Sequence, residues 1–392
     1  MFSRLASMNI YQLSVNILTI LFDKLSLAFI RKSPSPACIA IIRLDSIGDF
    51  ILWLDPAKEL RELYPQKRIT LICNQIYSDL ARLLPYWDEV IAVDRDKLTK
   101  DLLYRFRSLR RIYRLRVETA IHPTYSREYL RADSLMRATC ARQRIGSIGN
   151  LSNMTSLQKK ISDQWYTQLL PASYKPMMEL RRNAEFIRGL GAKKFTASIP
   201  FLPFLMPLPD RLILPKPYFV IFPGASFPGR QWPASQFGIL LSELSAAQSW
   251  RAVLCGSREE RSVCDQVIRA SGMKATNLAG QTLLPELVEV IRGAAFLVSN
   301  ETSAIHIAAA TGTPSVCILG GGHYGRFLPY DPEDAGKQPL PVPVIHKMDC
   351  FGCNWKCTQP HKKGTPVPCI SGITVEQVWK AVENILPAAT NK

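Results

Sequence analysis

Residues able to hold an anion beside a sugar-like polyol recur at several strand-to-helix turns of this 392-residue chain. The richest is the stretch from Val298 to Pro314. An apolar run, 294–298, has the character of a buried parallel strand, and an Ala-rich helix follows it, stopped by Gly312 and Pro314. Asn300, Thr302 and Ser303 are all N-cap types. A bare helix start turns free N–H groups and the positive dipole end toward an anion. Glu301 would repel a phosphate there, so its expected partners are hydroxyls. An anion beside a polyol is what a nucleotide-sugar presents. The competing reading is an ordinary helix start in an α/β domain.

The turn from Phe222 to Pro233 has the same character. Gly224 and Gly229 allow the backbone close to a ligand, Ser226 can donate to a phosphate, and Arg230 can neutralise a departing diphosphate without a metal. A serine-hydrolase elbow is excluded, because Gly224 and Gly229 are one residue too far apart around Ser226. After Cys255, Glu259 or Glu260 could take the two hydroxyls of a ribose; both could equally be first-turn residues favoured by the helix dipole. Asp49 follows Gly48 at the first strand-to-helix turn. A carboxylate there can serve as a general base or do no more than cap the helix, and Asp45 and Asp55 stand near it in sequence.

Three further patterns are weaker. Gly320 to Gly325 has the literal dinucleotide glycine spacing, but Pro329 and Pro332 follow instead of a helix, so a flexible glycine loop is expected, with His323 uncommitted. Asp94-Arg95-Asp96 has the form of the carboxylate pair of metal-dependent sugar transferases, yet it precedes a basic helix, and no catalytic metal is expected. Cys350, Cys353, Cys357 and Cys369, with His346 and His361 nearby, could hold zinc or an iron–sulfur centre, but the paired spacing of a zinc ribbon is missing. Free or redox-paired thiols stiffening a loop are preferred, with the four cysteines kept as weak metal candidates.

The elements that must position these residues alternate along the chain. Strands are expected at 37–44, 68–73, 89–93 and 117–121, with helices at 50–63, 77–84, 97–115 and 127–140 between them. Proline density over 200–217 marks a linker. A second α/β half follows, with strands at 218–222, 251–255, 294–298 and 315–319 and a last helix at 374–385. The expected division is an N-terminal amphipathic helix in 1–35, a Rossmann-like domain in 36–205, and a second in 206–392 that includes a Cys-rich segment, 346–369. Two such halves form a cleft at the carboxyl ends of their sheets.

Composition sets outer limits. A hydrophobic fraction of 47% is that of a globular protein, and ten cysteines in so long a chain suit a reducing cytoplasm better than a disulfide scaffold. The net charge of +17 is concentrated between Tyr104 and Arg144. Such a patch suits anionic lipid or an acidic glycan; no nucleic-acid motif accompanies it. Residues 9–30 are apolar but interrupted by Asn16, Asp23 and Lys24, which is too polar for a confident span. Leu13, Ile17, Leu21, Leu25 and Ala28 fall at helical spacing, giving either an interfacial helix on an anionic leaflet or a helix packed on the protein itself.

Taken together, Ile42 to Asp49, Phe222 to Ser226 with Arg230 to Pro233, Cys255 to Glu259, and Val298 to Ala310 resemble glycosyltransferase family 9, the ADP-heptose:lipopolysaccharide heptosyltransferases. The similarity runs from about Ile39 to Ile385. It implies a GT-B fold and metal-independent, inverting transfer from a nucleotide-diphosphate sugar, with no further cofactor. Asp49 falls where that family's proposed general base lies, and Arg230 stands where relatives often carry lysine beside the donor phosphates. Gly48, Gly224, Ser226, Glu259, Glu301, Thr302, Ser303 and His306 are then the donor-side residues. Glu301 replaces a usual aspartate that meets the donor sugar, and Thr302-Ser303 replaces Thr-Gly, which leaves the sugar, ADP-heptose or a relative of it, open. Arg127 and Arg131 are the expected contacts to an anionic glycan or lipopolysaccharide acceptor. The expected location is cytoplasmic, peripheral to the inner membrane. Two rivals stay open: a nucleotide-sugar epimerase of the same fold, and a non-catalytic basic protein that binds glycan or membrane.

Overall fold

Strands form where the apolar runs are. The computed structural model describes residues 38–386 apart from 335 and 337, together with residues 18, 21–23, 25 and 26. A first parallel sheet contains β1 (Cys38–Arg43), β2 (Ile69–Asn74), β3 (Glu89–Val93), β4 (Val117–His122), β5 (Gln143–Ser147) and β6 (Gln168–Leu170), in the order β3-β2-β1-β4-β5-β6. A second contains β7 (Tyr218–Phe222), β8 (Arg251–Leu254), β9 (Ala275–Asn277), β10 (Leu297–Asn300), β11 (Ser315–Ile318) and β12 (Val342–Val344), in the order β12-β11-β10-β7-β8-β9. Read from the opposite edge, the second order is the first again. Every residue of β1, β2 and β7 is buried, as expected of parallel strands covered on both faces.

Each winding has one place where the chain reverses direction across the sheet: between β1 and β4, and between β7 and β10. Open α/β sheets bind ligands beyond the carboxyl ends of such a strand pair. In the second sheet those ends lead into the turn at Pro223 and into Glu301.

Two compact units result. One comprises Met1–Ser46, Leu60–Tyr174 and Glu185–Lys193; the other comprises Ile47–Glu59, Lys175–Ala184 and Lys194–Lys392. Residues 47–59, with Asp49, therefore pack with the second sheet's unit. The core of the first unit gathers Ile42, Ile72, Ile91, Leu109, Ile112 and Leu135. In the second unit Phe219 and Phe296 stack at 5.1 Å, and Trp232 meets Phe237 edge-on at 4.9 Å. The Trp232 indole donates to the Ile373 carbonyl at 2.8 Å, anchoring the turn that carries Arg230.

Several element boundaries differ from those expected. The helix expected over 97–115 is two, Lys97–Lys100 and Leu102–Arg114, because Asp101 is extended and its carboxylate accepts from the Tyr104 amide at 2.9 Å. The one expected over 50–63 is Ile47–Ile51 followed by Leu54–Leu63. Strands β5, β6, β9 and β12 and the helix Ser156–Asp163 were not expected at all. The strands are short, and the helix starts at a Thr155–Gln158 capping box. Of the N-terminal helical stripe, Leu21 and Leu25 are described; Leu13, Ile17 and Ala28 lie outside the described residues. Among the described residues no helix is long and apolar enough to cross a membrane.

Truncating the stacked core ring, Phe296→Ala, should lower the unfolding free energy by about 3–5 kcal/mol in chemical denaturation. Ile239→Ala, on an exposed helix face, should change it by less than about 0.5 kcal/mol.

Candidate active site

The site begins with one buried amide. Asn300, at the end of β10, donates from Nδ2 to the Pro223 carbonyl at 2.7 Å and the Gly224 carbonyl at 3.2 Å, and its Oδ1 accepts from the Trp232 amide at 3.0 Å. Its side chain thus ties β10 to both ends of the turn after β7. The helix cap is a different residue: Thr302 is extended and accepts from the Ala304 amide at 3.3 Å. Ser303 is the first residue of the nine-residue helix Ser303–Thr311.

Arg230 is aimed by that turn. It donates to the Glu301 carbonyl and to Ser226 Oγ, its guanidinium lies 3.4 Å from the Glu301 carboxylate, and it stacks over the Trp355 ring at 4.9 Å. Glu301 is 4% exposed. Burial pushes its carboxyl up to about 7, against the pull of Arg230. Arg230 Nε and Glu301 Oε2 are buried without a hydrogen-bond partner among the described residues, Oε2 being the oxygen that lies 3.4 Å from the Arg230 guanidinium.

Asp49 arrives from the other direction. Helix Ile47–Ile51 packs on helix Ser303–Thr311, and Gly48 is what permits it: a Cβ there would stand 3.0 Å from the His306 ring and 3.8 Å from Ser303 Cα. His306 is buried, with Nδ1 2.6 Å from the Tyr330 hydroxyl. Burial drives its pKa down to about 4; Asp49 raises it and Arg230 lowers it further. A neutral imidazole therefore sits near both the expected general base, Asp49, and the Arg230 guanidinium.

Other candidates fall elsewhere. Gly224 does not hold backbone open to a ligand: a Cβ there would meet Glu260 Oε1 at 2.0 Å, and Glu260 is folded back onto the Ser257 amide at 2.7 Å. Glu259 is exposed, held below the usual carboxylate range by its own amide and by Ser257. Arg127 is a correction. Its side chain is fully buried, paired with Asp163, 3.6 Å from Asp133 and 4.7 Å over the Tyr166 ring, so it is an interior cation and not an acceptor contact. Arg131 is partly exposed but committed to Glu128 at 2.7 Å and Asp96 at 3.3 Å. Asp94 caps its own helix through the Asp96 and Lys97 amides, so this carboxylate pair is part of local structure.

The glycine run is not a flexible loop. Cβ atoms at Gly320 and Gly322 would strike Trp355 at 2.5 and 2.3 Å, and one at Gly321 would strike Phe351 at 2.2 Å. Gly322 accepts from Asn354, Gly321 exchanges hydrogen bonds with Gly352 and Cys369, and His323 meets Asn354 at 2.7 Å. The Cys-rich segment is therefore clamped over the glycines and delivers Trp355 to Arg230. All ten cysteines are free, and among the described residues no three His, Cys, Asp or Glu side chains are grouped to hold a metal ion.

The profile of glycosyltransferase family 9 (heptosyltransferase) matches residues 137–338, just over half of the sequence. The chain belongs to glycosyltransferase family 9. It is 26% identical over 194 residues to lipooligosaccharide heptosyltransferase 2 of Campylobacter jejuni, covering 47% of this chain and 56% of that protein, so the chain spans about half the length of that curated relative. Its fold is shared with a family 9 glycosyltransferase from Veillonella parvula, with 18% identity, a TM-score of 0.66, and 89% and 97% of the two chains covered. The Escherichia coli heptosyltransferase WaaC with ADP gives a TM-score of 0.64 at 16% identity, covering 88% and 99%. The two parallel α/β units are those of the GT-B fold. Arg230, Glu301 and His306 lie inside the family 9 match, whereas Asp49 and the Cys-rich segment lie outside it.

Asn300→Ala should cost about 3 kcal/mol of stability, since it strands two buried carbonyls and one amide, and should weaken nucleotide binding in parallel. Glu301 gives a pH signature. Its folded pKa of about 7 lies above the unfolded 4.5, so its contribution is fully present below pH 4.5 and is lost as pH rises through 7. Glu301→Gln should remove up to about 3 kcal/mol of that decline, seen by comparing unfolding free energies at acid and alkaline pH.

Proposed function

We propose that this family 9 chain is an inverting glycosyltransferase. It moves a heptose or related sugar from a nucleotide diphosphate to a lipopolysaccharide core or other surface glycan. The observation that carries this reading is geometric: the helix bearing Asp49 packs on the helix that starts at Ser303, and Arg230 reaches Glu301 just before that same start. The name of the Campylobacter relative supplies the heptose and the acceptor class, and the ADP bound by WaaC supplies the nucleotide diphosphate.

The step is a single displacement. Asp49 takes the proton of an acceptor hydroxyl as its oxygen bonds the anomeric carbon. The bond from that carbon to the diphosphate breaks, and its electron pair leaves on the phosphate oxygen. Arg230, Ser226 and the helix start at Ser303 take up the departing charge, so no metal is required in this scheme. Glu301, held 3.4 Å from the Arg230 guanidinium, receives hydroxyls of the donor sugar in this scheme. His306, neutral at physiological pH, adds no charge that would compete for the diphosphate.

Asp49→Ala should lower transfer by about 10²–10⁴-fold while ADP binding, read by thermal shift, survives. Near-normal turnover in that variant would remove the assignment. Transfer should persist in excess chelator; loss restored by a divalent ion would overturn the metal-free scheme. A sugar product released with no acceptor present would favour an epimerase.

A further inference from the structure

The transfer scheme leaves Trp355 without a task. Its ring is pressed against the glycine run, where Cβ atoms at Gly320 and Gly322 would strike it, and it stands edge-on to Phe227 at 5.5 Å and to His323 at 6.1 Å. The Arg230 guanidinium lies over it at 4.9 Å. Buried indole N–H groups ordinarily find an acceptor. Those of Trp87 and Trp232 donate to the Ala81 and Ile373 carbonyls at 2.7 and 2.8 Å. Trp355 Nε1 is also buried, yet it has no hydrogen-bond partner among the described residues.

The backbone that presents this ring is strained. Asn354 and Trp355 have φ of 51° and 59°, two consecutive left-handed residues and neither a glycine. Such a conformation persists only where the surroundings enforce it, as at ligand clamps. Here the Asn354 amide donates to the Gly322 carbonyl at 2.9 Å, its Oδ1 accepts from His323 Nε2 at 2.7 Å, and the Gly352 amide donates to the Gly321 carbonyl at 2.8 Å. Covering Arg230 does not by itself call for an indole, since a phenyl ring also attracts a guanidinium.

The stacked partner shows the same feature. Arg230 commits one terminal nitrogen to Ser226 and the other to the Glu301 carbonyl and carboxylate, while its Nε is buried and unpaired among the described residues. One stacked pair thus holds two unsatisfied N–H groups, and neither side chain has a hydrogen-bond acceptor of its own. The chemistry that answers both is an acceptor oxygen, and beside a guanidinium an anionic one. We propose that Trp355 is a second donor to the departing diphosphate, giving its indole N–H to a phosphate oxygen next to Arg230 Nε. That role rests on the placement of the diphosphate at the Arg230 turn in the transfer scheme. The bond strengthens as charge builds on the leaving oxygen, so its loss falls on turnover as well as on ADP affinity.

Trp355→Phe keeps a ring over Arg230 and removes the N–H. Its affinity for ADP, measured by calorimetry on the full chain, should fall about tenfold or more, and kcat should fall with it. In the unmodified chain the Trp355 indole proton, assigned through its own backbone amide by nuclear magnetic resonance, should move downfield as ADP is added and stay in place with adenosine. That second measurement decides the matter if Trp355→Phe melts early. ADP bound normally by Trp355→Phe but lost in Arg230→Ala, or an indole proton unmoved at saturating ADP, would overturn the role of Trp355 and leave that of Arg230 standing. ADP bound normally by Arg230→Ala would overturn both.

Discussion

The carboxamide of Asn300 is the constraint on which the site depends. Its three hydrogen bonds are made with no exposure to water, and they join a strand end to both ends of the turn from Pro223 to Trp232. A buried amide that lost them would leave polar groups unsatisfied at about 1–3 kcal/mol each. The turn from Pro223 to Trp232 is thus held at a fixed place against β10. Arg230, near the end of that turn, inherits its position from it.

That position determines the electrostatics. Arg230 lies beside a carboxyl group that burial has pushed toward neutrality, so the pair is a poised one and not a fully formed salt bridge. Trp355 covers the guanidinium from the Cys-rich segment, and it can do so only because Gly320 and Gly322 lack side chains beneath it. Gly48 plays a similar part for Asp49, letting one helix start lie against another. Three absent side chains therefore set how the helix bearing Asp49 lies against the helix start at Ser303 and how Trp355 lies over the guanidinium.

Much of this was legible in the sequence where the residues act through their own backbone. The central strands are continuous apolar runs, and Gly312 stops its helix in a left-handed conformation as glycine at that place suggests. The short strands β5, β6, β9 and β12 were not, because their strand character comes from pairing with a neighbour. Asn300 has the chemistry of a cap, and only the fold shows that it bonds residues about seventy positions away. Arg127 looked like surface charge because its closest ion-pair partner, Asp163, is 36 residues away, and nothing in the sequence shows that the nearer Asp133 is buried beside it. The glycines at 320–322 suggested freedom; the rings that cover them lie some thirty residues further on.

The central claim is that the start of helix Ser303–Thr311 and the turn carrying Arg230 receive the diphosphate of the donor. Amide hydrogen exchange with and without ADP tests it most directly. Added protection is expected in peptides spanning 224–231 and 300–305, with Arg230→Ala abolishing it. Protection confined to other segments, or none at saturating ADP, would place the diphosphate elsewhere.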